Sequence, residues 1–427
     1  MLFQQIEQFF NERETIGVQP GLERVNKLLK FVDNPDKNLS IIHIAGTNGK
    51  GSTSQFVQSA LIANGYKVGS FTSPSFYGIR GFIQFNQQPI SESEFSHAFQ
   101  KILPAIEMLD KEENSPSNFE ILTVLSFVCF KDNVDITVVE AGMGGMWDTT
   151  NVISPILTVI TTVSYDHTAF LGETLVEIAE QKAGIIKPMI PMVTGVSDTA
   201  PSYDIIEKKA EEMNSPLFVL DKDFTYESIT LNRFKFFISN KQLHINLSMN
   251  GKHQHYNASI ALYVLHLLSE QGWQMKEDKI IEGVEQAKLS GRLEKIHNNP
   301  SIIVDGAHNL EGIHALVDTI KRQHSNDHHI LFAAFKDKDV NNMINCLKEN
   351  LSNISVTTFD HVRAPTFKEL EQLKTNHPEA IVYDWKKYMD KTFENKASCY
   401  YITGSLHFIS LVRQYVLEQK RNMLNDS

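Results

Sequence analysis

IIHIAGTNGKGST, residues Ile41 to Thr53, is the stretch that sets the fold class. Five residues of apolar strand pattern run into a turn carrying Gly46, Gly49 and Gly51. A helix-period segment follows from Ser52 to Asn64, with Gly65 in the stop position. Gly46, Gly49 and Gly51 let backbone N–H groups wrap a phosphate without Cβ clashes. Lys50 adds a point charge at the outer phosphates, Ser52 offers a hydroxyl to Mg²⁺, and the helix start around Ser52 and Thr53 favours an anion. The strict G-x-x-x-x-G-K-[ST] pattern is not met, because Ile44 stands where its first glycine belongs and Gly51 follows the lysine. A Gly-rich turn with a solvated lysine is the plainer alternative. The strand–loop–helix context favours a nucleotide.

Working outward, short apolar runs alternate with helical patterns. Further strands are expected at Lys67–Thr72, Asp135–Ala141, Ile156–Val163 and Pro191–Thr194. This β/α alternation predicts an open, mostly parallel sheet covered on both faces. From Phe224 to Met249 the period changes to two, with a turn at residues 239–241, which reads as an appended β-ribbon. Helices are expected at Gln254–Gln271 and Lys276–Ala287. A second series of strand patterns then begins at Ser301 and recurs at Ile330–Phe335, Ile354–Phe359, Ala380–Asp384 and Ser398–Gly404. The chain thus reads as a P-loop-containing α/β domain over residues 1–291, followed by a smaller Rossmann-like α/β domain over 292–427. At 427 residues, two domains fit the usual size range.

Composition narrows the function. The net charge of −11 gives no broad electrostatic drive toward nucleic acid, although it leaves room for local basic pockets. Cys129, Cys346 and Cys399 show no CxxC spacing, so free buried thiols are expected rather than a disulfide framework or a cysteine zinc site. The longest apolar run, Ile121 to Phe130, is well short of the roughly 18 residues a membrane span needs. The start lacks a signal-peptide pattern. These points predict a soluble cytoplasmic protein with small-molecule partners, no nucleic acid and no membrane.

Two further strand ends carry polar residues. Glu140 closes the apolar run ITVVE, and Asp166 and His167 follow the next one. Ligands in open α/β sheets sit beyond the carboxyl ends of strands, so a carboxylate there suits Mg²⁺. A surface carboxylate at Glu140 is an equal reading on this ground alone. A lone histidine is more often structural, but the position of His167 after another strand of the same sheet raises the ligand reading. Lys182, in IAEQKAGIIKP, reads on sequence physics as a solvated helix charge. His328 and His329, with His324 nearby, read as a solvated turn before a strand, and Trp273 and Trp385 as packing residues.

Together these segments resemble the folylpolyglutamate synthase/dihydrofolate synthase family of the wider Mur ligase superfamily. GTNGKGST, FTSP, NFE, VEAGMGG, DHTAFLG, IAEQKAGIIK, GKHQHYNA, GRLE and DGAHN occur in the family order across nearly the whole chain. The resemblance implies an ADP-forming ligase that adds L-glutamate to a folate or dihydropteroate through an acyl phosphate. It implies that Lys50 and its neighbours from Gly46 to Thr53 hold the ATP phosphates, and that Ser52, Glu140 and His167 bind Mg²⁺. Lys182 matches the family lysine that CO₂ carbamylates to hold a second Mg²⁺, which reverses the solvated reading. Asn257 matches an adenine-side contact, Arg292 and Asp305 match ATP contacts of the second domain, and His308 matches a histidine near the reacting phosphate. With Lys50 and Lys182, His308 forms the expected catalytic set. Phe119 and Glu120 match a family pair whose role stays open. The opening segment RETIGVQPGLERVNKLLKF is similar to the family's and is expected to pack a helix on the nucleotide domain. The family also implies a monomer, and an acyl phosphate calls for closure over ATP to exclude water.

The departures cluster on the acceptor side. In TSPSFYGIRGFIQFN, Ser73 and Pro74 match the family, while Ser75 stands for the usual histidine and Gly81-Phe82 for a Glu-Arg pair. In GGMWDTTN, Met146 and Trp147 replace an arginine and a leucine. Leu310 replaces the proline of DGAHNP. The altered residues predict either a folate held by other contacts or a related ligase with a changed acceptor, since an apolar wall lacks arginine's bidentate grip on a carboxylate. A nucleotide-binding regulator without catalysis is disfavoured by the retained Lys50, Glu140, His167, Lys182 and His308. A ligase acting on cell-wall nucleotide precursors is disfavoured because the phosphate loop leaves no room for an additional N-terminal domain. A P-loop motor lacks a supporting second motif.

Overall fold

The structure, a computed structural model, describes residues 2–323, 327–376, 380–395 and 398–425. The chain separates into two compact units, one of residues 1–248 and 254–287, the other of residues 249–253 and 288–427.

The first unit opens with α1 (Phe3–Arg13) and α2 (Glu23–Phe31), then β1 (Ile41–Ala45), α3 (Lys50–Ala63) and β2 (Val68–Phe71). A hairpin of β3 (Ile83–Phe85) and β4 (Gln88–Pro89) precedes α4 (Glu92–Lys111), α5 (Asn118–Phe130) and β5 (Ile136–Glu140). After β6 (Leu157–Ile160) come α6 (Thr168–Leu171), α7 (Leu175–Ala183), β7 (Met192–Thr194), α8 (Pro201–Glu212) and β8 (Leu217–Val219). The sheet order is β4-β3-β2-β5-β1-β6-β7-β8. Strands β2, β5, β1, β6, β7 and β8 are parallel, and only the β3–β4 edge runs antiparallel. β1 is wholly buried between β5 and β6, as a mainly apolar strand in the middle of a parallel sheet is, with His43 its one polar side chain.

The apolar run Ile121 to Phe130 lies inside α5. Its residues join Ile6 and Phe10 of α1, Val25 and Leu28 of α2, and Phe95 and Phe99 of α4 in one core. The opening segment therefore does pack helices onto this unit. Glu120, whose role was open, is structural. Its side chain is fully buried, accepts from the Ser117 N–H at 2.7 Å to cap α5, and pairs with Arg24 of α2 at 2.9 Å.

The ribbon expected over residues 224–249 has three strands rather than two: β9 (Phe224–Ser228), β10 (Arg233–Ile238) and β11 (Lys241–Asn246), all antiparallel. The extra reversal falls at residues 229–232, where the Thr230 hydroxyl accepts from the Arg233 N–H at 3.1 Å. Helices α9 (Lys252–Glu270) and α10 (Glu277–Gln286) follow. Trp273 packs edge-on against Tyr66, as a packing residue should.

The second unit holds β12 (Glu294–His297), β13 (Ser301–Val304), α11 (Leu310–Arg322), β14 (His328–Phe332), α12 (Val340–Asn350) and β15 (Ile354–Thr357). It ends with α13 (Phe367–Asn376), β16 (Ala380–Val382), α14 (Trp385–Thr392), β17 (Cys399–Thr403) and α15 (Leu406–Asn425). The order is β12-β13-β17-β14-β15-β16, parallel except for β12. This edge strand was not foreseen. His328 and His329 also differ from expectation: they begin β14 instead of preceding it, and His329 stacks on Tyr400 of the neighbouring strand. His324 lies outside the described residues. Trp385 packs edge-on against Phe408 and Tyr415. All three cysteines are free, but Cys399 is half-buried where full burial was expected. No helix among the described residues is long and apolar enough to cross a membrane.

Removing one member of a buried ion pair strands the other charge, at a cost of about 3 kcal/mol. Arg24→Ala should therefore destabilise the protein by about that amount in denaturant titration. Adding Glu120→Gln should recover part of the loss, because the amide oxygen still caps α5.

Candidate active site

Because β1 is flanked by β5 and β6, the loops that leave all three strands emerge side by side at one sheet edge. These are residues 46–49, 141–148 and 161–167. The first and third are zippered together. The Thr47 N–H donates to the Thr162 carbonyl at 2.9 Å, and the Asn48 N–H to the Thr162 hydroxyl at 2.9 Å. The Thr161 hydroxyl donates to the Asn48 carbonyl at 2.6 Å, and the Ser164 N–H to the Thr47 hydroxyl at 3.0 Å. Tyr256 of α9 donates to the Thr161 carbonyl at 2.7 Å.

The glycines of the phosphate loop have distinct duties. Gly46 has φ +149°, and a Cβ there would lie 1.9 Å from the Thr161 hydroxyl. Gly49 caps α3 at φ +88°, and its Cβ would lie 2.3 Å from Oδ1 of Asn257. Asn257 thus packs directly on the phosphate loop from α9, where it is nearly buried. The Lys50 ammonium folds back over the loop and donates to the carbonyls of Gly46 at 2.8 Å and Thr47 at 3.2 Å. Ser52 and Thr53 lie buried in the first turn of α3.

Glu140 closes β5 and is almost fully buried. His167 begins α6 in a left-handed conformation, φ +50°, with its Nε2 3.7 Å from the Asp166 carboxylate. Lys182, on the last turn of α7, is only 2% exposed. Burial, reinforced by the Lys50 charge, pulls its amine down to about 7, while Asp166 and Asp148 oppose that shift. The solvated reading of Lys182 is therefore wrong, and the lysine faces charges from all three loops.

The 142–148 loop is built around the end of α7. The Met146 N–H donates to the Gln181 carbonyl at 2.6 Å, and Asn151 bridges the carbonyls of Met146 at 3.0 Å and Gly184 at 3.1 Å. Met146 is half-buried here, and Trp147 is 56% exposed. Asp148 was not singled out from the sequence, and Asp166 was read there only as the polar neighbour of His167. Their signal was available: each directly precedes or follows a residue that was singled out. Burial pushes the Asp148 carboxyl up, against donors from Thr150, Met143 and Gly142.

On the acceptor side the residues do not all converge on open space. The peptide before Pro74 is cis. The Ser75 hydroxyl accepts from the Tyr77 N–H at 2.9 Å, and a Cβ on Gly81 would lie 2.0 Å from that hydroxyl oxygen. Phe82 is half-buried against Phe71 and joins the α1–α5 core. Arg80 does not stand in for the missing arginine. It donates to the Ile90 carbonyl at 2.8 Å and lies over the Phe3 ring.

In the second unit, Arg292, Asp305 and His308 sit together. The Asp305 carboxylate accepts from the N–H groups of Leu293 at 2.9 Å and Ala307 at 3.0 Å, tying the segment after Gly291 to the loop after β13. Arg292 reaches that loop at Gly306. His308 Nδ1 lies 2.8 Å from the Gly306 carbonyl. A carbonyl only accepts, so Nδ1 carries a proton. Asn309 caps α11 and accepts from Gly312 at 2.9 Å, so the helix starts without proline at 310.

Mg²⁺ prefers oxygen donors, few of them from protein. The Ser52 hydroxyl and the buried Glu140 carboxylate are donors of that kind, and a carbamate on Lys182 would be another. Among the described residues no three His, Cys, Asp or Glu side chains gather as a metal cage.

The sheet, the phosphate loop and the buried lysine define an ATP-dependent ligase, and the comparisons agree. The Mur ligase middle domain matches residues 44–265, and the Mur ligase glutamate ligase domain matches residues 291–398. The chain belongs to the Mur ligase family, in its folylpolyglutamate/dihydrofolate synthase branch. It is 36% identical to the dihydrofolate synthase/folylpolyglutamate synthase of Bacillus subtilis (strain 168), over 96% of this chain and 98% of that one. Folylpolyglutamate synthase of Mycobacterium tuberculosis, solved with ADP and AMPPCP, superposes with a TM-score of 0.88 at 26% identity, covering 97% of this chain and 98% of that one. The E. coli FolC complex with DHPP and ADP gives 0.87 at 25%, covering 99% of each.

The Cβ clash and positive φ at Gly49 yield a direct test. Gly49→Ala should weaken binding of a non-hydrolysable ATP analogue at least about tenfold in calorimetric titration, since L-residues pay roughly 1–2 kcal/mol for left-handed backbone and Asn257 must also move.

Proposed function

We propose that this ligase joins L-glutamate to a folate or dihydropteroate carboxylate in two chemical steps. The acceptor carboxylate attacks the γ-phosphorus of ATP, forming an acyl phosphate and ADP. The glutamate amine then attacks the acyl carbon, and inorganic phosphate leaves as the amide forms. The ATP-binding part is assigned to residues 1–291 and the glutamate-ligase part to residues 292–427.

The family resemblance supports the assignment of roles. Backbone N–H groups from Gly49 to Ser52, the Lys50 ammonium and the start of α3 would bind the phosphates, while the Thr47 and Asn48 N–H groups are engaged by Thr162 and shape the loop. Asn257, packed on Gly49, would make an adenine-side contact, and Arg292 and Asp305 would serve the nucleotide from the second domain. Ser52, Glu140, His167 and, once carbamylated, Lys182 would hold Mg²⁺ as two ions. When bound, Mg²⁺ offsets the repulsion between an anionic carboxylate and ATP. His308, with its proton on Nδ1, would act near the transferred phosphoryl group, as the resemblance implies. The acceptor borders Ser73, Pro74, Ser75, Phe82, Met146 and Trp147. The protein is proposed to act in the cytoplasm, as its composition suggests, and as a monomer, as the family resemblance implies.

The observation that carries this reading is the buried Lys182. CO₂ reacts with a neutral amine: its carbon bonds to Nζ, one proton leaves, and a carbamate anion replaces a cation. An amine pulled down to about 7 by burial is available for that reaction near neutral pH. The product also relieves the buried positive charge opposite Lys50.

One observation favours a second reading, an altered acceptor. Phe82 is drawn into the core and Arg80 is engaged elsewhere, so the strip from Ser73 to Phe85 offers no free guanidinium for an acceptor carboxylate. Purified protein assayed with ATP, glutamate and either dihydropteroate or tetrahydrofolate separates the two. Glutamate-dependent ADP release with one of them is expected, and none above background with either would contradict the folate assignment. Lys182→Ala should lower kcat by at least about 100-fold, consistent with losing an electrostatic stabiliser of the transition state.

A further inference from the structure

His43 is fully buried in the middle of β1, three residues before the phosphate loop, and the reaction proposed above does not use it. Its Nε2 lies 2.9 Å from the Thr150 hydroxyl. That hydroxyl lies 2.5 Å from Oδ1 of Asp148, which also accepts from the Thr150 N–H at 3.0 Å. Oδ2 of Asp148 accepts from the Met143 N–H at 2.8 Å. The chain of contacts runs from the central strand to the loop that adjoins Lys182.

The directions of these bonds are determined. Thr150 has one hydroxyl proton, and at 2.5 Å from a buried carboxylate it is donated to Asp148. The hydroxyl must then accept from His43, so His43 carries its proton on Nε2. Nδ1 of His43 has no hydrogen-bond partner, which is tolerable for a bare lone pair and costly for a buried N–H. Burial also holds the imidazole neutral, pulling it down to about 3.

We propose that His43, Thr150 and Asp148 form a hydrogen-bonded relay that positions the Gly142–Asp148 loop beside Lys182, making His43 a positioning residue for the ligase reaction although it touches no substrate. The relay braces the loop from beneath, while Met146 and Asn151 anchor its far side to α7. Its role in turnover rests on the ligase reading given above. The tautomer it requires does not.

Two measurements test it. In ¹⁵N NMR of the unliganded protein, His43 should be a neutral Nε2–H imidazole, and Thr150→Val should abolish that fixed tautomer. An Nδ1–H or rapidly averaging ring in the parent protein overturns the relay whatever the activity. In steady-state assays, Thr150→Val and His43→Phe should each lower kcat about tenfold while KM for ATP moves less than about twofold, the signature of lost positioning rather than lost binding. Thr150→Ser, which keeps the hydroxyl, should restore kcat. The double variant should be no worse than either single one, because both cut the same chain. Multiplicative losses, failure of the serine to rescue, unchanged kcat, or a KM for ATP that rises as kcat falls would each overturn the relay. If the parent protein shows no ligase turnover, the proposed reaction fails, and the tautomer measurement alone then decides whether the relay exists.

Discussion

The zipper between the loops after β1 and β6 is the constraint on which the rest of the site depends. Hydrogen bonds join Thr47 and Asn48 to residues 161–164, and they engage the N–H groups of both residues together with the Thr47 hydroxyl and the Asn48 carbonyl. The zipper leaves no room for a Cβ at Gly46. It also links the phosphate loop to the segment that ends at Asp166 and His167. A change at one strand end is felt at the next through backbone that is already hydrogen-bonded, which is how a preorganised anion site avoids reorganising when charge arrives.

Lys182 is the energetic counterpart. Placing an ammonium in a buried site near a second lysine is costly, and the fold responds by lowering its proton affinity rather than by supplying a partner carboxylate at contact distance. The net charge of −11 makes this more pointed, since every substrate of the reaction is anionic. Under the proposed function, attraction is local, from Lys50, the α3 N-terminus and metal ions set against an acidic background.

Much of this was legible in the sequence because strand ends and glycine turns are local signals. Glu140 and the Asp166–His167 pair could be placed beyond the carboxyl ends of their strands from apolar periodicity alone. Lys182 could not, since its burial is created by the 142–148 loop folding onto α7, a contact with no periodic trace. Family resemblance found it where physics pointed the other way. The third ribbon strand was missed because its reversal uses Thr230 and Asn232 side chains in place of Gly or Pro. His328 and His329 looked like a polar turn, yet stacking on Tyr400 accommodates His329 in a strand. Glu120 and Asp148 are satisfied by partners, Arg24 and the Met143 N–H, that only the tertiary fold or the loop geometry reveals.

The central claim is that the fold buries a lysine so that it can become a carboxylate. ¹³C NMR of the protein with ¹³C-bicarbonate, Mg²⁺ and an ATP analogue tests it most directly. A carbamate carbon resonance that disappears in Lys182→Ala is the predicted result. Full ligase turnover by a protein that shows no such resonance at saturating bicarbonate would contradict it.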